Sequence, residues 1–401
     1  MSAIDELIAE LCPDGVEYRK LGDVVDILDS KRKPVKRGER SKGEYPYYGA
    51  NGIQDFVGGF IFDGTFLLVG EDGSVITADG KPIVNWAVGK IWVNNHAHVL
   101  QESADGTASL RYLKYALECK DVTDIVRGTP PKLNQKNLRE IEIPVPPIEV
   151  QREIVRILDT FTALTDTLTE ELNCRRQQYA YYRDRLLSLE SLEALDGKPV
   201  EMKRLDEVFD LKNGYTPSKK KAEYWENGEV NWFRMEDIRA NGNVLNDSIQ
   251  KVSIDGIKGG KLFEANSLIV ATSATIGEHA LVTVPFMCNQ RFTCLTRKPA
   301  YRNSLDMKFV SHYASKLDEY CLENTNQGGF ASVSMPAFKS FPIPVPSLAT
   351  QQKVVDILDR FDALTTSLTD GLPAEIEARK AQYAYYRDRL LDFPRKEVAA
   401  S

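Results

Sequence analysis

The chain has 401 residues, 42% of them hydrophobic, and its 51 Lys and Arg against 58 Asp and Glu give a formal net charge of -7. This length and apolar content describe two or more domains with sizeable cores, and no apolar run approaches a membrane span. The negative balance weighs against non-specific binding of nucleic acid unless a locally positive face, or a basic partner, offsets it.

Residues 1–15 open with an acidic amphipathic stretch, Ile4, Leu7, Ile8 and Leu11 falling at helical spacing. That pattern predicts a helix and is unlike a secretion signal, so the chain is expected in the cytoplasm. Residues 16–146 are rich in Gly, aromatic and β-branched residues. The runs Phe66-Leu67-Leu68-Val69, Lys90-Ile91-Trp92-Val93 and Ala97-His98-Val99-Leu100, parted by Glu71-Asp72-Gly73 and Asp79-Gly80, read as strands and turns, and Arg111 to Leu117 as a short helix. Residues 200–346 repeat the order, with strands around Leu268-Ile269-Val270 and Phe292 to Leu295, then a helix from Leu305 to Tyr320. Two α+β domains are predicted.

Residues 147–199 and 347–401 carry the clearest signal. Gln178 to Leu187 returns letter for letter as Gln382 to Leu391, and Ile143 to Thr169 matches Ile343 to Thr369 at 15 of 27 positions. The chain is built twice. Each copy starts with Ile-Pro-Val-Pro, which cannot be helical, and continues with one apolar stripe at helical spacing from near Ile148 or Glu149 to Leu189 in the first copy. Such a helix is about 60 Å long at about 1.5 Å per residue. It needs a long partner, and the second copy is the obvious one. An antiparallel coiled coil is therefore predicted, with Leu158, Phe161, Leu168, Tyr179, Tyr182 and Leu186 of the first arm and Leu358, Phe361, Leu368, Tyr383, Tyr386 and Leu390 of the second in its core; Leu164 and Leu364 lie on the same stripes.

The arms differ by Pro373-Ala374-Glu375-Ile376, which has no counterpart after Leu172, and a kink or break is expected there beside Gly371. Val16 to Leu21 resembles Val200 to Leu205, and Glu6 to Leu21 parallels Ser188 to Leu205. The repeat therefore closes in a circular sense, which predicts adjacent termini and an internal pseudo-two-fold. Between these fixed ends the domains share little beyond echoes such as Asn95-His96 against Asn289-Gln290, which suggests one task done on two targets.

Six scattered cysteines, Cys12, Cys119, Cys174, Cys288, Cys294 and Cys321, form no Cys-x-x-Cys pair and read as reduced thiols. The histidines lack metal-ligand spacing, His96 and His98 being the one pair that could act together on a strand, and no metal is expected. The sequence lacks a phosphate loop, a Gly-x-Ser-x-Gly, a His-Glu-x-x-His and an Asn-Pro-Pro-Tyr. What remains are basic and aromatic clusters. Lys31, Arg32, Lys33, Lys36, Arg37, Arg40 and Lys42 place seven positive charges in twelve residues close to Tyr45, Tyr47 and Tyr48, while Lys219, Lys220 and Lys221 precede Trp225, Trp232 and Arg234. Such loops can neutralise phosphates while nearby Gln54, Asn94, Asn95, Arg234, Asn289, Gln290 and Arg291 read base edges, or they can be solvated loops and turns. A coiled-coil scaffold whose two domains bind protein or other ligands is the competing reading.

Two variable domains, each followed by Ile-Pro-Val-Pro, a Gln, a Val-x-Ile-Leu-Asp-x-Phe-x-Ala-Leu-Thr helix and Gln-Tyr-x-Tyr-Tyr-Arg-Asp-x-Leu-Leu, resemble the specificity subunit of type I restriction-modification enzymes over essentially the whole chain. Tyr45 to Gly52, Val69 to Gly73 and Val93 to His98 are similar to the family's first target-recognition domain, and Thr275-Ile276-Gly277 with Asn289-Gln290 to its second. The resemblance implies that each domain reads one half of a bipartite site on double-stranded DNA and that the coiled coil sets the spacing. It implies two modification subunits that hold S-adenosylmethionine and methylate adenine, and restriction subunits that use ATP and Mg. It also implies no catalysis or cofactor in this chain, and a place at the nucleoid of a bacterial or archaeal cell.

Overall fold

The Pro-rich segments that precede each long helix form the first ordered frame. In the computed structural model, which describes residues 3–326, 331–366 and 371–396, β1 (Glu17–Lys20) and β8 (Glu142–Val145) pair antiparallel, Glu17 opposite Val145. The second copy does the same: β9 (Glu201–Arg204) pairs with β20 (Pro342–Val345), Glu201 opposite Val345. Proline is tolerated because each ribbon has only two strands, so its missing N–H falls on an open edge. The chain divides into two compact units, Met1–Leu168 with Ile376–Ser401, and Thr169–Glu375.

In the first unit a six-stranded sheet runs in the order β2-β7-β5-β6-β3-β4, made of β2 (Val25–Ile27), β3 (Lys42–Gly49), β4 (Gly52–Val57), β5 (Phe62–Gly70), β6 (Val84–Val93) and β7 (Ala97–Glu102). Its pairs are antiparallel except β3 with β6, where Tyr47 lies opposite Trp92. The apolar run in β5 is explained by burial on both faces. Leu67 and Val69 pack into a core with the helix Leu110–Glu118, and Phe66 and Leu68 into another with Phe62, Ala87 and Ile91.

The second unit holds β10 (Phe209–Asn213), β11 (Val230–Phe233), β12 (Val244–Leu245), β13 (Lys251–Val252), β14 (Ser267–Ala271), β15 (His279–Val282), β16 (Met287–Cys288), β17 (Phe292–Arg297), β18 (Thr325–Asn326) and β19 (Ser332–Val333). Its sheets run β10-β17-β14-β15-β12 and β13-β11-β16. The order β10-β17-β14-β15 repeats β2-β7-β5-β6, and β14 again splits its side chains between two cores, Leu268 and Val270 to one and Ile269 and Ala271 to the other. The helix predicted after the strands spans Met307–Glu323.

The first arm is a single helix, Ile148–Leu186, of 39 residues. Its start (Val150, Ile154, Leu158) shares the first unit's core with the end of the second arm (Leu390, Leu391, Phe393). Its end (Leu186, Leu187) shares the second unit's core with the start of the second arm (Val354, Val355, Leu358). The arms are therefore antiparallel. Phe161 stacks on Tyr386 with centroids 5.4 Å apart, while Tyr179 and Tyr182 flank Phe361 at 6.0 and 5.8 Å.

Leu158 and Leu358 are fully buried and join the domain cores, whereas Leu168 is buried, at 9% exposure, outside both of them. Tyr182 is 39% exposed despite its stacking, and Leu164 and Leu364 are 38% and 39% exposed, so the buried stripe is narrower than its spacing predicts. Leu368 lies outside the described residues. The second arm is described as Leu348–Thr366 and Leu372–Leu391; Pro373 sits in the first turn of the latter helix, where a missing N–H costs nothing.

Each arm is pinned to its domain by a buried glutamine. Gln151 Nε2 donates to Thr107 O (2.9 Å) and Pro146 O (2.8 Å), and its Oε1 accepts from Ser109 N (3.0 Å). Gln351 repeats the three bonds with Ser304 O (2.8 Å), Pro346 O (2.7 Å) and Asp306 N (2.7 Å). About two turns further on, Asp159 accepts from Arg111 and Tyr115, and Asp359 from Lys308 and His312. The first and last described segments do meet: Val16 N donates to Pro394 O and Lys396 N to Val16 O, each at 2.9 Å. Among the described residues no helix is long and apolar enough to cross a membrane.

Candidate nucleic-acid interface

The basic loop of the first domain is sorted by the fold into two sets. Arg32 turns inward, its side chain 13% exposed, where it bonds Glu71 (2.6 Å), Ala97 O (2.8 Å) and Asp29 O (3.0 Å). Arg40 also turns inward, bonding Val35 O and Asp55 (both 3.1 Å), with its guanidinium 4.0 Å from the centroid of the Tyr47 ring. Both are structural clamps, contrary to the expected phosphate contacts. The planar guanidinium fork, with five N–H donors in fixed directions, suits both residues to bridging several acceptors, and they are the two arginines of the loop that the fold sets beside such acceptors.

Lys31, Lys33, Lys36 and Arg37 remain exposed. Their backbone is fixed beside β6 and β3 by Lys33 N to Val93 O (3.2 Å), Trp92 Nε1 to Lys33 O (2.7 Å) and Val35 N to the Tyr47 hydroxyl (3.0 Å). The loop thus presents four cations on a rigid support.

Arg32 belongs to a closed ionic network. His98 is fully buried, with Nδ1 2.6 Å from Asp29 and Nε2 2.8 Å from Leu133 O; Asp29 also accepts from Gln135 (3.0 Å) and Val99 N (3.0 Å), and Glu71 faces Lys132 at 3.2 Å. Burial alone would raise the Asp29 carboxyl, but the His98 bond and charge, the Val99 amide and Arg32 hold it below the usual carboxylate range. Asp29, Glu71 and His98 are close enough to hold a metal ion, yet their ligand atoms are already engaged by Arg32, Lys132, Gln135 and the Leu133 carbonyl, so the cluster reads as an ion-pair network. His96 points elsewhere, to Asp72.

In the second domain the predicted residues converge. Lys219, Arg234, Asn289, Gln290 and Arg291 line one cleft of about 620 Å³ with Trp225, Trp232 and Gln250. The indoles meet edge-on at 4.9 Å, and the Arg234 guanidinium lies 5.5 Å from the Trp232 ring. Gly214 makes the close approach possible: a Cβ there would fall 2.3 Å from the carbonyl oxygens of Cys288 and Asn289. Lys219 and Lys220 are exposed, while Lys221 bonds the Tyr224 hydroxyl at 3.0 Å and faces Glu223 at 3.7 Å, outside the cleft lining. Gln250 was missed by sequence reasoning, because an isolated glutamine before a two-residue strand carries no pattern.

The polar pairs also need correction. Asn94 is 3% exposed; its Oδ1 accepts from His96 N (2.8 Å) and its Nδ2 donates to Gln54 (3.4 Å). Asn289 does the same, Oδ1 accepting from Arg291 N at 3.0 Å. Both side chains hold a turn, Asn94 fully inside and Asn289 half-buried at the cleft, and Gln54 is the partner of Asn94. The repeat aligns Asn94 with Asn289, one residue away from the echo read in the sequence. Asn95, Gln290 and Arg291 are exposed.

The thiols take no part. All six cysteines are free, and burial pushes Cys294 and Cys321 up to about 12, which leaves them protonated and unreactive at neutral pH.

A duplicated frame, with a basic loop on one copy and an aromatic, amide-lined cleft on the other, defines a two-domain protein built on an internal repeat. The family profile described as "Type I restriction modification DNA specificity domain" matches twice, over residues 13–174 and 197–378. The chain belongs to that family of type I restriction-modification specificity subunits. A putative type I restriction enzyme specificity subunit of Haemophilus influenzae is 34% identical over 397 residues, covering 94% of this chain and 96% of that protein. The EcoprrI specificity subunit of Escherichia coli is 54% identical over 211 residues, 51% of this chain and 53% of that protein. Among solved structures, the specificity subunit from M. genitalium shares the fold with a TM-score of 0.58 at 17% identity, over 94% of this chain and 96% of that one.

Proposed function

We propose that this chain positions a type I restriction-modification complex on DNA, each of its two domains reading one half of a bipartite duplex site. The observation that carries the reading is the repeated frame itself. Two domains share ribbon, tether and sheet order yet carry different loops, as expected if one docking task is performed on two different sequences. In this reading the antiparallel arms fix the separation of the half-sites and offer docking surface to two modification subunits. Those subunits hold S-adenosylmethionine and transfer its methyl group to adenine, and restriction subunits that use ATP and Mg complete the complex. This chain contributes Lys31, Lys33, Lys36, Arg37, Lys219 and Lys220 toward phosphates, and it works at the nucleoid in the cytoplasm. The test is to co-produce the chain with its modification subunits and sequence host DNA for modified adenines. A split motif, two defined blocks around a fixed gap, is expected. An assembled complex that leaves no new motif would count against the proposal.

A further inference from the structure

The turn that leads into β7 in the first domain and into β17 in the second is fastened in the same way in both, although the surrounding sequences have diverged. The asparagine N–H donates across to a neighbouring strand, Asn94 N to Tyr48 O and Asn289 N to Phe233 O, each at 3.1 Å. The asparagine Oδ1 accepts from the amide two residues on, His96 N at 2.8 Å and Arg291 N at 3.0 Å. The carbonyl of that second residue then accepts from the residue that follows the central hairpin strand, Glu71 N to His96 O at 2.8 Å and Thr272 N to Arg291 O at 2.9 Å. These three matched bonds use main-chain atoms and the asparagine side chain, and leave out the side chains of the two positions between the asparagine and the strand. These are Asn95 and His96 in one domain, Gln290 and Arg291 in the other.

The side chains at those positions suit recognition. Asn95 and Arg291 are exposed, and neither side chain takes a partner among the described residues. Gln290 is exposed and spends its oxygen on the Thr216 hydroxyl, leaving both amide protons outward. The His96 side chain is 46% exposed and held through Nδ1 by Asp72, and Nε2 takes no partner among the described residues. A strand-end turn clamped by backbone bonds holds its tips to a fixed geometry, which base discrimination demands and solvated loops lack. Amide side chains can pair bidentately with adenine, and a guanidinium with guanine.

We infer that these tips, Asn95 with His96 and Gln290 with Arg291, are the residue pairs that read base edges, one pair for each half-site, while Asn94 and Asn289 are the frame that aims them. This rests on the DNA-reading function proposed above and assigns its specificity to two positions per domain. Identical frames with different tips explain how one architecture addresses two sequences.

The experiment uses the complex with its modification subunits, after the unaltered chain has been shown to yield a split methylation motif; failure at that first step would remove the DNA-reading proposal itself. The double variants Asn95→Ala/His96→Ala and Gln290→Ala/Arg291→Ala are then mapped for modified adenines and assayed on specific and unrelated duplexes. Each is expected to degrade one half of the motif, a different half in each case. The ratio of specific to non-specific affinity should fall on the order of ten- to a hundred-fold while non-specific affinity stays constant. Arg291→Lys keeps the charge and loses the fork, and should relax the same position as the second double variant. Motifs unchanged in both halves, or a parallel fall in specific and non-specific binding, would overturn the inference. So would an Arg291→Lys protein with an unaltered motif.

Discussion

Arg32 and Lys33 are neighbours with opposite duties. Arg32 is enclosed among Asp29, Glu71 and the Ala97 carbonyl, so truncating it takes the shared guanidinium from two largely buried carboxylates and leaves Asp29 to His98, Gln135 and Val99 N and Glu71 to Lys132. Arg32→Ala should destabilise the first unit by about 2–3 kcal/mol, because buried charges that lose one of their partners are left under-compensated. Lys33→Ala should change stability by no more than about 0.5 kcal/mol, since the loop is held there by main-chain bonds. Urea midpoints of the two variants separate these roles. The same network predicts a pH dependence. The Asp29 carboxyl is depressed in the folded state, so its contribution is present above the unfolded value of about 3.9 and is lost as pH falls through the folded value. The difference in urea midpoint between the parent chain and Asp29→Asn should therefore be full at pH 6 and shrink below about pH 4. A gap that stayed constant across that range would show that Asp29 acts by packing alone.

At the scale of elements, the arms and the central strands were legible because their signals are long. A single apolar stripe over 39 residues has one helical solution, and the Phe66 to Val69 run has one buried-strand solution. The periphery was not legible. β12, β13 and β16 have two residues each, too short for any period to register, and they are held by partners distant in sequence. The inward turn of Arg32 and Arg40 was equally hidden, since composition counts charges and does not reveal which acceptors the fold brings to them. The one-residue error of setting Asn95, in place of Asn94, against Asn289 has the same origin: register lies in hydrogen bonds across strands.

Gln151 and Gln351, which sequence reading noted only as part of a motif, prove to be the joints between arm and domain. Each satisfies two carbonyls and one amide with no exposure. Replacing either by Ala should cost about 2–4 kcal/mol through three abandoned buried partners. The loss should fall on the unit that contains the substitution. Hydrogen exchange of the helix Leu110–Glu118 reports on Gln151→Ala, and that of Met307–Glu323 on Gln351→Ala; equal loosening of both helices by one substitution would contradict local tethers.

For the whole molecule, the net charge of -7 has to be reconciled with binding a polyanion. The sorting of cations does this. Four exposed cations stand together on the first domain's loop, and Lys219 and Lys220 on the second, while Arg32 and Arg40 are neutralised internally. Affinity should then depend on a few local phosphate contacts, each releasing about 0.9 counterion on duplex DNA. Lys33→Ala/Lys36→Ala should lower the slope of log affinity against log salt by about 1.8 and weaken specific and unrelated duplexes alike, leaving the methylation motif unchanged. Lys219→Ala/Lys220→Ala should do the same from the other domain, and combining the pairs should add, because the four lysines share no partner. If the slope were instead unaffected by all four, the positive charge that meets the duplex would have to come from the modification subunits.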